Sequence, residues 1–418
     1  MDVKAYVRDV VRFASKAAES VARATTEQKN AVLEAMACNL LEASKELKDR
    51  NALDLEAGKK AGLSAAMLDR LELNDRRIAE MAAAIRAVAA LRDPVGDVIA
   101  GWTARNGLRI RKVRVPIGVI AVIYESRPNV TADAACLCLK SGNALILRGG
   151  KEALQSNIAI QRQLARALEG SKIDPKAIQI IETPDRAAVT ELLTAEGYVD
   201  LVIPRGGKSL IRAVVGTATV PVIKHYEGIC HTFVDAGCDL EMAVRICENA
   251  KCQRPAVCNA MECMLVHEGV AGEFLGRIGP IFRERGVELR GCERTRQILP
   301  EAKAATEQDW RTEYLGLILS VRVVRDVHEA IDHINTYGSH HTDAIVTESQ
   351  RNAQLFCDRV DSAAVCVNAS TRMSDGGEFG LGAEVGISTD KLHARGPMGL
   401  EELTTYKWVV VGDGQLRR

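Results

Sequence analysis

Aromatic side chains are scarce in this sequence. Phe, Trp and Tyr make up 4% of 418 residues, too few for a protein that reads nucleic acid by stacking bases. An excess of either charge is also missing, because 55 Lys+Arg balance 55 Asp+Glu. No nucleic-acid or membrane surface is therefore implied, and any anion must be bound by local groups. No run of roughly 18 apolar residues occurs, so no transmembrane helix is expected. The first stretch, MDVKAYVRDVVRFASKAAES, mixes acids with bases and has no uncharged apolar core, which speaks against a signal peptide. There is no CxxC pair, and the adjacent His340 and His341 have no partner at ligand spacing, so no metal site is expected. The expected location is the reducing cytoplasm, where most of the 12 cysteines are small buried hydrophobes.

What is present is a chain long enough for about two or three domains. Residues 3–93 read as helical almost throughout. Thr25 and Gln28 have the spacing of a capping box, and Asn74 caps a further helix that ends before Asp93-Pro94. From about residue 96 the texture changes. Asn106-Gly107 lies between two strand-like runs, a hairpin signal. The apolar runs GVIAVIY, ALILR, AIQIIET and VDLVIPR then alternate with helical segments, the pattern of a parallel sheet covered on both faces and hence of a Rossmann-like α/β domain. A second α/β segment begins near residue 229 with TFVDAG, ECMLVH, LGLILSVRVV, DAIVTES and AAVCVNA. The tail LTTYKWVVVGDG is a long, exposed-looking β run, a liability unless something pairs with it. With the 96–115 hairpin it is expected to form a subunit contact.

Two loops echo each other. ALILR ends in Arg148-Gly149-Gly150-Lys151 and VDLVIPR ends in Arg205-Gly206-Gly207-Lys208-Ser209, each leading into a helix. Glycines after a parallel strand let the backbone approach a phosphate, and the helix start turns its N–H groups toward the anion. The stretch GGEFGLGAEVG (376–386) follows no clear strand and reads as a mobile loop with close backbone approach. Residues 252–263, CQRPAVCNAMEC, hold three cysteines. Cys258 follows Arg254 and Pro255 in a loop entering a strand, so it is either a nucleophile beside a cation or one more buried thiol. Cys252 and Cys263 read as packing.

The blocks RVPIGVIAVIYESRPNVTADAACLCLKSGNALILRGGKEALQSN, QRPAVCNAMEC and GGEFGLGAEVGISTDKLHARGPMGLEELTTYKW closely resemble the gamma-glutamyl phosphate reductases, also called glutamate-5-semialdehyde dehydrogenases, of the aldehyde dehydrogenase superfamily. The resemblance runs over essentially the whole chain, with no fused amino-acid kinase segment ahead of it. It implies an aldehyde dehydrogenase-like α/β fold with an NADP-binding domain (1–95 and 116–228), a catalytic domain (229–370) and an oligomerisation element (96–115 and 385–418). The implied reaction is reduction of L-glutamyl 5-phosphate by NADPH to L-glutamate 5-semialdehyde, phosphate and NADP, the second step of proline synthesis. Functional coupling to a separate glutamate 5-kinase and a homo-oligomeric state are implied as well.

Carried over by position, Cys258 matches the family's nucleophile. Its thiolate would expel phosphate to give a thioester, which a hydride reduces to the aldehyde. Glu313 falls where relatives hold the nicotinamide ribose. Arg148 falls at the adenine-ribose position, and Lys151 is placed to favour the 2′-phosphate of NADP, with no acid aligned there to repel it. Two departures matter. Aldehyde-oxidising relatives carry a base in a Glu-Leu-Gly-Gly motif; here the stretch is His225-Tyr226-Glu227-Gly228, which fits exchange with phosphate rather than hydrolysis of the thioester. The oxyanion asparagine has no clean counterpart: Arg127 takes its place in an ungapped match and Asn129 lies two residues on. Either Arg127 binds the leaving phosphate, or Asn129 and the Cys258 N–H stabilise the oxyanion. The rival readings are a related semialdehyde or acyl-CoA dehydrogenase and a non-catalytic thiol scaffold; retention of both Cys258 and Glu313 disfavours the second.

Overall fold

Val7, Val10, Val11, Ala14, Ala17 and Val21 recur at helical spacing, and in the computed structural model they form the buried stripe of the first helix. The structure describes residues 2–224 and 226–417. Five helices open the chain: α1 (Val3–Ala22), α2 (Thr26–Glu42), α3 (Ser44–Lys60), α4 (Ala65–Leu71) and α5 (Asp75–Ala90). The Thr25–Gln28 capping box closes in both directions at the start of α2. Asn74 Oδ1 accepts from the Arg77 N–H and starts α5. The hairpin follows as β1 (Val98–Thr103) and β2 (Arg109–Pro116), with Gly107 at φ +85 in its turn.

An alternating stretch then builds β3 (Val119–Tyr124), α6 (Asn129–Lys140), β4 (Ala144–Gly149), α7 (Leu154–Arg166), β5 (Ile178–Ile180), α8 (Arg186–Leu193), β6 (Leu201–Arg205) and α9 (Lys208–Thr217). The four strands form a parallel sheet in the order β5-β4-β3-β6. Every residue of β3 is buried, which explains why it reads as an unbroken apolar run. Helices α1 and α8 pack on one face through Val7, Val11, Ala188 and Leu192.

The second stretch contains β7 (Cys230–Val234), α10 (Leu240–Cys252), β8 (Met261–His267), α11 (Glu268–Glu284), β9 (Glu288–Gly291), α12 (Glu293–Ile298) and β10 (Lys303–Ala304). It continues with β11 (Ile318–Val324), α13 (Val327–Tyr337), β12 (Thr342–Val346), α14 (Gln350–Arg359) and β13 (Ala364–Val367). These seven strands form a parallel sheet in the order β10-β9-β11-β8-β7-β12-β13. Phe274 and Phe282 of α11 fill one face, and Phe356 and Ile331 the other. A short ladder pairs β14 (Ile387–Ser388) with β15 (Gly396–Pro397). The last strand, β16 (Thr404–Val411), pairs antiparallel with β2, giving the sheet β1-β2-β16.

The chain divides into two compact units. One is Met1–Lys224 with Gly380–Gly386 and Met398–Arg418; the other is His225–Phe379 with Ile387–Pro397. Among the described residues, no helix is long and apolar enough to cross a membrane. All 12 cysteines are free thiols.

Candidate active site

In the first unit the chain leaves β3 in both directions, toward β4 on one side and β6 on the other. That reversal opens a crevice at the carboxyl ends of β3 and β6, the usual ligand position in an open α/β sheet. Beside it, Ser126 adopts a left-handed conformation at φ +39. Its N–H and hydroxyl both donate to Glu152 Oε1 at 2.7 Å. Arg127 follows in the same loop, and Asn129 opens α6 with its Nδ2 donating to Asp133 Oδ2 at 2.9 Å. Burial pushes the Asp133 carboxyl up to about 6, against the pull of Asn129 and Arg205.

The two Arg-Gly-Gly-Lys loops are built differently. Arg148 folds back: Nη1 donates to the Gly149 carbonyl at 2.9 Å and Nη2 to that of Pro184 at 3.1 Å, while Nε is buried without a partner. A Cβ on Gly149 would overlap the Asn157 amide and sit 3.2 Å from Tyr124 Cζ, and one on Gly150 would overlap the Glu152 carboxylate. These glycines are required by the protein's own packing. Lys151 is exposed. In the second loop a Cβ on Gly206 would overlap Glu125 and Leu210, but the nearest atom to one on Gly207 is 4.0 Å away. Gly207 precedes α9 with no side-chain cap, and Ser209 lies in its first turn. The Gly207 N–H donates to Glu125 Oε2 at 2.9 Å. Arg205 lies against Gly386, whose φ is +121 and whose Cβ would sit 3.0 Å from Arg205 Cδ, so the close approach expected of the Gly-rich stretch occurs there.

An open glycine at a helix start and the cations Lys151 and Arg205 fit the phosphate groups of a dinucleotide. Glu125 and Glu152 are acids that the sequence reading left out. Glu125 accepts from the Gly207 N–H of the second loop, and Glu152, beside the first, accepts from the Ser126 N–H in the loop after β3.

In the second unit the candidate side chains gather at the opposite end of the strands. Gly228 precedes β7, Cys258 precedes β8 and Glu313 precedes β11, all at the amino edge of the parallel sheet. Cys258 is half-buried in the turn after α10. A Cβ on Gly228 would overlap the Cys258 carbonyl and sit 2.6 Å from its Cα, so only glycine fits. The Gly228 N–H donates to Glu313 Oε1 at 2.9 Å, and the Cys230 thiol donates to the Cys258 carbonyl at 3.2 Å. His225, the first residue of the stretch replacing the base motif, lies outside the described residues.

Behind this edge sits a fully buried ion pair, Lys251 Nζ to Glu262 Oε2 at 2.6 Å. Glu262 Oε1 also accepts from the Leu315 N–H at 3.0 Å, in a turn where Leu315 has φ +53. The pair thus ties α10 and β8 to the segment that carries Glu313. Asp309 anchors the same segment, accepting from Arg290 at 2.6 Å and from the Thr306 N–H at 2.6 Å. Burial alone would raise its carboxyl, but these hydrogen bonds hold it well below the usual range. Sequence reasoning missed Lys251 and Glu262; the available signal was a glutamate inside the apolar run MECMLVH, which needs a partner when buried.

Among the described residues, His231, Cys263 and His333 bring ligand atoms within 4.8 Å of one another. The proton positions oppose metal binding. Arg322 Nη1 meets His333 Nδ1 at 3.2 Å, and since arginine only donates, the His333 proton is on Nε2. Asp343 Oδ1 lies 2.9 Å from His231 Nδ1 and favours the charged form of that ring. Burial opposes that charge, but the Cys263 thiol and Asp343 outweigh it.

Residues 2–287 match the model of the aldehyde dehydrogenase family. The chain is 54% identical to the gamma-glutamyl phosphate reductase of Geobacter metallireducens and 56% identical to that of Moorella thermoacetica, each over the full length of both chains. Its fold superposes on the crystal structure of the Thermotoga maritima gamma-glutamyl phosphate reductase with a TM-score of 0.96 at 49% identity, covering 99% of this chain and 100% of that one. An acetylating aldehyde dehydrogenase from Geobacillus thermoglucosidasius shares the fold alone, with 16% identity and a TM-score of 0.72. The chain belongs to the gamma-glutamyl phosphate reductase family of aldehyde dehydrogenase-like proteins.

Proposed function

We propose that this chain reduces L-glutamyl 5-phosphate to L-glutamate 5-semialdehyde with release of phosphate, the second step of proline synthesis from glutamate, with Cys258 as the nucleophile. The observation that carries the reading is the backing of the thiol loop: Gly228 stacks against Cys258 and shares Glu313 with the proposed cofactor site. Held half-buried in a rigid turn, the Cys258 thiolate attacks the acyl carbon, forming a C–S bond and breaking the C–O bond to phosphate. Asn129 and the Cys258 N–H are assigned to the oxyanion, and Arg127 to the departing phosphate. The dinucleotide, when bound, supplies the hydride that reduces the thioester. Collapse of the thiohemiacetal then returns the thiolate to Cys258 and frees the aldehyde.

Glu313 is assigned to the nicotinamide ribose. Gly206, Gly207 and Ser209, at the start of α9, are assigned to the phosphates common to both dinucleotides, with Arg205 beside them. Arg148, Gly149, Gly150 and Lys151 are assigned to the adenine ribose and its 2′-phosphate, which makes NADPH the preferred donor. Residues 1–95 and 116–228 serve as the NADP-binding domain and 229–370 as the catalytic domain, while 96–115 and 385–418 form the oligomerisation element. Trp102, Trp408 and Val410 are about half exposed on β1 and β16, and such an apolar strand surface suits a second copy of the chain. A separate glutamate 5-kinase supplies the unstable acyl phosphate.

The test is phosphate-dependent reduction of NADP with glutamate 5-semialdehyde, the reverse reaction. Wild type should show it, and Cys258→Ala should lose activity by at least about a thousandfold. Retention of full activity by that variant would sink the mechanism.

A further inference from the structure

The acyl phosphate and the glutamate carboxylate are both anionic, yet the assignments above give the substrate a single cation, Arg127. The second unit holds two more beside the nucleophile. Arg372 is half-buried and anchored by its Nε to Gln253 Oε1 at 3.0 Å and by Nη1 to Asn259 Oδ1, the residue after Cys258. Among the described residues, no hydrogen bond from Arg372 Nη2 accompanies these two. Asn259 Nδ2 in turn donates to the Ser374 carbonyl at 2.9 Å, locking the 371–374 segment onto the thiol loop. Burial lowers the Arg372 pKa, and it feels Asp375, Arg254 and Cys258 electrostatically. Asp375 is its largest charged neighbour and Arg254 the next, so the two guanidinium groups share one nearby acid.

The hydroxyls of Thr371 and Ser374, on either side of Arg372 in the sequence, are fully buried and have no hydrogen-bond partner among the described residues, so this segment is packed firmly beneath the arginine's anchor.

We propose that Arg372, with Arg254, forms an oxyanion-binding pocket at the Cys258 loop that holds an anionic group of the substrate, either its phosphoryl group or its α-carboxylate. This pocket rests on the reading of Cys258 as nucleophile and extends it to substrate recognition. The shared chemistry is a group with two or more terminal oxygens, suited to the planar guanidinium fork.

Reverse-direction kinetics separate the sources, because inorganic phosphate and the semialdehyde are then different reactants. For Arg372→Met the KM of one of them should rise by about tenfold to a hundredfold, the loss expected for a charge-assisted hydrogen bond, with the KM for NADP unchanged. A rise for phosphate assigns the phosphoryl group; a rise for the semialdehyde assigns the carboxylate. Arg372→Lys should recover part of the loss. In a parallel readout without turnover, the selected reactant should slow alkylation of Cys258 by iodoacetamide in wild type and not in Arg372→Met. The pocket is refuted if neither KM moves beyond about twofold, or if all three KM values rise together with a fall in the unfolding midpoint. The underlying reading fails separately, through an active Cys258→Ala.

Discussion

Arg148-Gly149-Gly150-Lys151 and Arg205-Gly206-Gly207-Lys208 share four letters, a preceding parallel strand and a following helix, yet they solve different problems. In the first, the glycines make room for Asn157, Tyr124 and Glu152, and Arg148 bonds neighbouring carbonyls. Lys151 alone is turned outward. In the second, Gly207 faces open space at the start of α9. The same sequence packs against the protein's own side chains in one place and, at Gly207, leaves the start of a helix open in the other. A glycine motif acquires its meaning from what a Cβ would strike.

That contrast can be broken by substitution. The largest effect is expected from Lys151→Glu, which should raise the KM for NADPH about tenfold to a hundredfold and leave NADH within about twofold. Equal losses for both cofactors in steady-state assays would remove the 2′-phosphate assignment. Next comes Gly149→Ala, whose Cβ overlaps the Asn157 amide. It should destabilise the fold by about 1–3 kcal/mol in urea unfolding, the cost of overpacking a filled site. Smallest in stability terms is Gly207→Ala, which should stay within about 0.5 kcal/mol of wild type. It should still raise the KM for NADH and NADPH alike, since both carry the same pyrophosphate. A change confined to NADPH would reverse the roles of the two loops.

Much of the fold was legible in the sequence because it rests on local signals. The capping box at Thr25, the Asn74 cap, the Asn106-Gly107 turn and the buried runs of β3, β4 and β6 are short-range patterns with direct physical causes. Strands β9 and β10 were not seen; at four and two residues they carry too little periodicity to register. Cys258 could be singled out by its loop and the arginine before it, but its role came from resemblance. What surrounds it depends on tertiary proximity: Gly228 against the Cys258 carbonyl, Lys251 under Glu262, Arg372 on Asn259. Nor does any spacing reveal that the candidate residues lie at the carboxyl edge of the first unit's sheet and at the amino edge of the second's.

The His231–Cys263–His333 group has a consequence for how the protein meets its surroundings. Its spacing resembles that of a ligand set, but Arg322 fixes the His333 proton on Nε2, the nitrogen that faces Cys263 Sγ. An ion entering there would have to displace the His333 proton and settle beside a guanidinium. Passage over an immobilised-metal column, or growth in zinc-rich medium, should therefore leave this layer untouched. Chemistry that elsewhere traps metals here behaves as inert polar mortar between strand and helix.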